Sequence, residues 1–322
     1  VIAAPTIVDN AGRTPAITVV MMCFNLEGYI EQAVRSVQAQ AFDDVIEILV
    51  ADDCSSDGTV DLVLKLQRAD ARVVLLRSNK RLGVAMNFAR AIKHASGKYL
   101  ALLDGDDFWT DTAKCQRQFD YLECHANIVG VYESVSIVDA DGRYIRSHVV
   151  ADVGHELSKR DFVSRFPLTT QTLMLRRMAC QPFPEWGRAT RSQDWVIAWQ
   201  AATHGRFFCT GGISAAYRQL ANSNWAGLSP RKKLKEYLDT TQLLNENGAL
   251  DVDPDACERQ YEHAYLALRE YVDEKFSLRE AVMMAWMLSF RRKQYNLWNF
   301  LTNAQWLVRT YYASLKRGAT VA

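Results

Sequence analysis

Residues 99–109 read YLALLDGDDFW. Five residues suited to a buried strand run directly into three carboxylates, Asp104, Asp106 and Asp107, and then into the rings of Phe108 and Trp109. Like charges this close repel, and desolvating one of them costs several kcal/mol, as a rough estimate, unless a cation compensates. The carboxylates therefore either solvate a turn or hold a cation, and the neighbouring sequence has to decide between the two.

Working outward, strand-like and helix-like patterns alternate. ITVVMM (17–22), IEILVA (46–51), VVLL (73–76) and YLALL (99–103) read as short apolar strands. Helical patterns follow the first three, over about 28–40, 60–66 and 84–94. This alternation predicts an α/β fold with a mostly parallel, Rossmann-like sheet flanked by helices. Ligands of such sheets collect beyond the carboxyl ends of the strands. Cys23-Phe24-Asn25, Asp52-Asp53-Cys54 and Asp104-Gly105-Asp106-Asp107 all sit just past strand ends and are expected on one rim.

Further along, IVGVYESVSIV (128–138) and TLMLRR (172–177) read as strands, 139–142 as a turn and 193–204 as a helix. From Ser229 onward the pattern is helical. The expected division is an N-terminal arm (1–16), one large domain (17–225) and a helical C-terminal extension (226–322).

Bulk composition narrows the function. The chain has 322 residues, is 49% hydrophobic and 23% charged, and carries a formal net charge of +1. That describes a soluble globular protein with no electrostatic reason to bind nucleic acid. The seven cysteines, Cys23, Cys54, Cys115, Cys124, Cys180, Cys209 and Cys257, include no C-x-x-C pair, which fits a reducing compartment. VIAAPTIVDNAGRTP lacks the basic start and apolar run of a secretory signal, and a cytoplasmic protein is expected. Residues 281–322 contain no Asp or Glu but carry Arg291, Arg292, Lys293, Arg309, Lys316 and Arg317 among tryptophans and tyrosines. Such a stretch fits either peripheral contact with the inner face of the cytoplasmic membrane or a helix docked on its own protein.

A hard divalent cation takes oxygen ligands, and two or three carboxylates plus diphosphate oxygens complete a Mg²⁺ or Mn²⁺ shell. Asp104 and Asp106, two apart across a turn, are candidate ligands, with Asp107 beside them. Asp57 reads as the cap of the helix that starts at Thr59. Asp53 beyond its strand, with Phe24 as a stacking ring, makes a candidate nucleobase pocket.

Together, MMCFNLEGYIEQAVRSVQAQ, VADDCSSDGT, SNKRLGVAMNFARAIKHASGKYLALLDGDD and SQDWVIAW resemble the inverting family 2 glycosyltransferases of the GT-A fold, in ordered succession over roughly 17–220. The resemblance implies a nucleotide-sugar donor, a divalent metal (Mn²⁺ or Mg²⁺) and transfer to a hydroxyl of a glycan or lipid-linked glycan. By that resemblance Phe24, Asn25, Asp53, Asn79, Arg81, Gly83, Asp104 and Gly105 line the nucleotide, and Asp104, Asp106 and Asp107 hold the metal. Asp194 falls where the family places its catalytic base, preceded here by Gln193 instead of the usual Glu. Tyr217 and Arg218 match a pair near the diphosphate or acceptor, with Leu220 where a histidine often stands. The Q-x-x-R-W pattern of processive synthases is absent, so a single-addition enzyme is expected; Asp53 with one ring suits a pyrimidine, so UDP or dTDP is the expected nucleotide. Two rivals remain at this stage. A sugar nucleotidyltransferase would carry a Gly-rich cradle after the first strand, which CFNLEGYIEQ lacks. An inactive nucleotide-sugar-binding module would bind without turnover.

Overall fold

The first apolar run forms strand β1 (Ile17–Cys23), followed by helix α1 (Ile30–Gln38). The alternation continues through β2 (Ile46–Asp52), α2 (Thr59–Ala69), β3 (Val73–Arg77), α3 (Val84–His94) and β4 (Tyr99–Asp104). The computed structural model describes residues 14–220, 227–256, 259, 260, 263 and 264. The four strands lie in the order β3-β2-β1-β4, all parallel. Every residue of β2 is buried, as expected of a central strand covered by helices on both faces. Cys23 stands opposite Asp52, Asp52 opposite Arg77, and Met22 opposite Asp104, so all four strands end at one level.

The sheet then widens. β5 (Phe108–Trp109), α4 (Lys114–Cys124), β6 (Ile128–Val138), β7 (Tyr144–His148), β8 (Glu156–Leu157), β9 (Met174–Arg176), α5 (Arg177–Cys180), α6 (Gln193–Ala201) and β10 (Arg206–Arg218) follow in sequence. β9 enters antiparallel between β4 and β6, while β10 runs parallel to β6 and antiparallel to β5. The full order is β3-β2-β1-β4-β9-β6-β10-β5, with β7 beside β6 and β8 beside β10. The mostly parallel, helix-flanked sheet expected from the sequence is the architecture found.

Two elements depart from the sequence reading. The strand expected over 172–177 is confined to Met174–Arg176, because Thr170–Thr172 wind into a 3-10 turn. The hydroxyls of Thr169 and Thr172 both donate to the Glu133 carbonyl at 2.9 Å, and these long-range side-chain bonds hold the segment out of the ladder. The helix expected over 193–204 ends at Ala201; the Thr203 hydroxyl donates to the Gln200 carbonyl at 2.7 Å, and His204 lies exposed beyond the end.

Val1–Phe162 and Phe166–Leu220 make one compact unit, whereas Val163–Arg165 joins Ala221–Ala322 in a second. In the second, α7 (Pro230–Leu244) starts after Ser229 with proline at its first position and buries Leu234, Leu238 and Leu244. Gln260 Nε2 donates to the Val163 carbonyl at 2.9 Å and the Tyr237 hydroxyl to that of Ser164 at 2.5 Å, which ties the short segment into this unit. The basic aromatic stretch 281–322 lies outside the described residues. Among the described residues, no helix is long and apolar enough to cross a membrane.

Candidate functional site

The loops after β1, β2, β3 and β4 share the rim. The first two clasp each other: Asn25 Oδ1 accepts the Ser56 N–H at 2.9 Å, and Glu27 accepts the Gly58 N–H at 2.6 Å. Gly58, not the Asp57 read from sequence, is the cap of α2; Asp57 Oδ1 still accepts the Thr59 N–H at 3.1 Å, and its other oxygen accepts the Glu27 N–H at 3.2 Å. These bonds hold the Asp57 carboxyl below its usual range against the opposing effect of its partial burial. Asn25 is therefore engaged by the neighbouring loop, and its side-chain oxygen faces protein.

Asp53 is 4% exposed at the tip of β2. Its Oδ1 accepts the Leu82 N–H at 2.7 Å, and its Oδ2 accepts the Gly83 N–H at 3.0 Å and pairs with Arg81 Nε at 2.9 Å. Gly83 has φ +83°, a backbone state that L side chains rarely adopt, and it starts α3 from that position. The Arg81 guanidinium carbon lies 3.0 Å from the centroid of the Phe24 ring. A flat cation thus covers the ring and pairs with the carboxylate on which the sequence reading places a base. Asn79 and Lys80 lie exposed on the same loop. Arg90 is no mere surface charge: it donates to the carbonyls of Asp52, Leu76 and Arg77 and ties the ends of β2 and β3 together.

The acidic turn is built on a close approach. The Gly105 N–H donates to the Met22 carbonyl at 2.9 Å, and a Cβ there would meet that oxygen and the Leu26 and Ile30 side chains at 3.0 Å. Of the three carboxylates, Asp107 departs from the expected metal set. It is 2% exposed, its Oδ1 accepts the Arg218 N–H at 2.7 Å, and its Oδ2 accepts Gln171 Nε2 at 2.6 Å. Both oxygens face protein donors, so Asp107 is a strut beneath the turn, and Asp104 and Asp106 are left to meet a ligand.

Arg218 corrects a second expectation. Its guanidinium is spent on structure: Nε donates to the Asp106 carbonyl at 2.8 Å, Nη1 to the Ala140 carbonyl at 2.7 Å and Nη2 to Gln32 Oε1 at 2.6 Å. At 2% exposure and flanked by the Tyr29 and Phe108 rings, it supports the turn from below. Trp109 is buried beneath the turn, its Nε1 donating to the Gln171 carbonyl at 2.8 Å.

Asp194 stands in the first turn of α6. Its Oδ1 accepts the Trp195 N–H at 2.9 Å and its Oδ2 the Thr170 hydroxyl at 2.6 Å. Gln193 points away; its Nε2 donates to the carbonyls of Gly187 and Thr190, a task that an acceptor-only Glu would not perform. Burial raises the Asp194 carboxyl above its ordinary value, opposed by those bonds. Burial, then Asp106, then Asp194, push Asp104 up to about 8. Asp106 is raised by burial, with Arg218 pulling the other way. Burial and the fields of Asp107, Asp104, Asp106 and Asp194 all raise the Tyr217 phenol, so that hydroxyl stays protonated among four carboxylates. Tyr217 reports that the acidic turn and Asp194, 90 residues apart in sequence, converge.

The donor set fits a hard divalent cation in one particular way. Among the described residues no three His, Cys, Asp or Glu side chains gather into a cage of their own. Two carboxylates, both raised by burial and one of them further by its neighbour, are what Mg²⁺ or Mn²⁺ meets where substrate phosphates and water complete the shell. Sequence reasoning missed Thr170 and Gln171, which contact Asp194 and Asp107; TTQT carries no spacing signal that would have singled them out.

The mostly parallel, helix-flanked sheet with its acidic rim has the GT-A architecture. The family model for Glycosyl transferase family 2 matches residues 18–181, and the chain belongs to that family. It is 28% identical over 224 residues to an uncharacterised protein of Mycobacterium tuberculosis, covering 68% of this chain and 63% of that protein. Over 152 residues it is 31% identical to the GalNAc(5)-diNAcBac-PP-undecaprenol beta-1,3-glucosyltransferase of Campylobacter jejuni, covering 46% of this chain and 48% of that enzyme. Among solved structures, that of Staphylococcus aureus TarS 1-349 in complex with UDP-GlcNAc superimposes with a TM-score of 0.64 at 16% identity, covering 94% of this chain and 92% of that one. At that identity the likeness concerns the fold.

Proposed function

We propose that this protein transfers a sugar from a nucleoside diphosphate sugar, with UDP or dTDP as the nucleotide, to a hydroxyl of a glycan or lipid-linked glycan, with inversion. The observation that carries the reading is the convergence of the acidic turn and Asp194, joined by adjacent side chains: Thr170 bonds Asp194 and Gln171 bonds Asp107, each at 2.6 Å. Family membership supports the reaction class. The undecaprenol-linked acceptor in the Campylobacter enzyme's name and the UDP-GlcNAc bound to TarS support the acceptor and donor classes.

In this reading Asp194 accepts the proton of the acceptor hydroxyl as that oxygen attacks the sugar C1 from the face opposite the nucleotide. General-base help of this kind contributes about 10²- to 10⁴-fold in rate. The raised proton affinity of Asp194 suits that task. Asp104 and Asp106 would hold Mn²⁺ or Mg²⁺, which supplies Lewis-acid neutralisation of the departing diphosphate. Phe24 would offer the nucleobase a face once Arg81 moves off it. Asp53, each of whose oxygens already accepts a loop N–H, would hold that loop beside the base and meet its edge only through the lone pairs those bonds leave. A single displacement leaves no covalent intermediate. We further propose that 17–225 holds the catalytic apparatus and that 226–322 serves the acceptor, with 281–322 meeting the membrane face.

The test is calorimetric titration of UDP, dTDP, GDP and CDP with and without Mn²⁺, followed by assay of nucleotide release from the matching sugar nucleotides. Metal-dependent binding of one nucleotide together with turnover is the expected result. Binding that ignores metal overturns the role of Asp104 and Asp106; binding without turnover points to an inactive module.

A further inference from the structure

Between the acidic turn and α6 runs TTQT (169–172), whose four side chains face two ways. From below, the Thr169 and Thr172 hydroxyls both bond the Glu133 carbonyl at 2.9 Å. Gln118 Nε2 donates to the Thr172 carbonyl at 2.8 Å, and the Leu102 N–H to that of Leu173 at 3.0 Å. The turn is thereby pinned to β4 and β6. From its upper side the next two residues reach the rim: Gln171 Nε2 donates to Asp107, and the Thr170 hydroxyl donates to Asp194 Oδ2 at 2.6 Å.

Thr170 is not a helix cap. A cap accepts backbone N–H groups of the first turn, whereas the Thr170 hydroxyl gives its proton to a side-chain oxygen. The first-turn N–H of Trp195 is already taken by the other oxygen of Asp194. With Oδ1 fixed by its own helix and Oδ2 by Thr170, the carboxylate has one orientation about its Cβ–Cγ bond, and each oxygen retains a lone pair. Threonine suits the position because its branched Cβ restricts χ1.

We infer that Thr170 is a positioning residue that holds the Asp194 carboxylate in register with the acidic turn, the rigid TTQT turn setting the distance between them. The inference rests on the reading of Asp194 as the base. Gln171 performs the matching task for the turn through Asp107, so one four-residue segment spans both halves of the site.

The test compares wild type with T170V, T170S, D194N and T170V/D194N, using UDP release from UDP-glucose and UDP-GlcNAc in Mn²⁺, UDP affinity by calorimetry, and crystal structures of wild type and T170V. Losing a hydrogen bond to a charged group predicts that T170V lowers kcat about 10- to 100-fold. KM for the donor and UDP affinity stay unchanged, T170S recovers most of the rate, and the Asp194 carboxylate rotates in the T170V crystal. The double variant is expected to be no slower than D194N, because the hydroxyl acts only through Asp194. Wild-type kcat in T170V, an unmoved carboxylate, or losses that multiply in the double variant overturn the inference. If D194N loses activity while T170V keeps the wild-type kcat, only the inference falls; if D194N turns over at the wild-type rate, the base reading falls and takes the inference with it.

Discussion

Two buried acidic centres of this protein make a useful contrast. Glu133, inside β6, accepts two bonds from Arg117, at 2.9 and 3.0 Å, and one from the Thr210 hydroxyl at 2.9 Å. Beside it the buried Lys114 donates to Gln118 at 2.8 Å and lies 4.2 Å from the Trp109 ring centroid. Burial lowers the Lys114 pKa, yet the centre is internally matched, acid against base. At the carboxyl ends of the strands the balance is broken. Asp104, Asp106 and Asp194 raise one another's proton affinity or are raised by burial, and the guanidinium of Arg218 is committed to carbonyl groups and Gln32. Among the described residues no lysine or arginine forms an ion pair with Asp104 or Asp106. Charges that fold stability would match are left unmatched where a cation and a diphosphate are expected.

The contrast can be broken in order of effect. Asp194→Asn is expected to lower kcat about 10²- to 10⁴-fold with donor affinity unchanged, read by steady-state kinetics and calorimetry. Arg117→Ala strands the buried Glu133 charge and is expected to destabilise the fold by about 3 kcal/mol in urea melts. Asp106→Asn, at the unmatched centre, should leave the metal-free melt nearly unchanged but weaken Mn²⁺-dependent nucleotide binding at least ~10-fold. An Asp106→Asn protein as unstable as Arg117→Ala would erase the distinction between the two centres.

The contrast also extends to pH. With the Asp104 carboxyl pushed up to about 8 from 3.8, the folded protein keeps a proton that the unfolded chain has released. Between those values the native state binds more protons, so metal-free stability falls as pH rises through that window. Mn²⁺ must displace the same proton, so its stabilising effect should grow toward pH 8. Melts at several pH values, with and without Mn²⁺, check the sign, and Asp104→Asn should flatten both trends. The smallest effect is expected of Phe24→Ala. Loss of a stacking face worth about 1 kcal/mol weakens nucleotide binding roughly fivefold by calorimetry.

Much of the N-terminal half was legible in the sequence. Short apolar runs separated by helical patterns leave little choice but a parallel sheet, and the observed strands β1 to β4 extend the expected ones by a single residue each. The acidic rim was legible for the same reason, since strand ends in such a sheet share one edge. Less could be read of which carboxylate does what. Asp107 differs from Asp106 by one position, yet it faces Gln171 and Arg218, partners 64 and 111 residues away. Arg218, basic and next to Tyr217, looked fit for a diphosphate, and only its carbonyl partners identify it as a brace. The 3-10 turn at Thr170–Thr172 was hidden inside an apparent strand because its hydroxyls bond a distant carbonyl.

The sequence by itself determined the strand order's raw material, the rim on which function gathers and the family pattern, because all three depend on local periodicity and short spacings. The tertiary structure decided which charges are matched. Pairing in a folded chain depends on distances of a few ångströms between residues far apart in sequence. Those distances separate Asp104 and Asp106 from Asp107, turn Arg218 inward, and bring Thr170 to the carboxylate of Asp194.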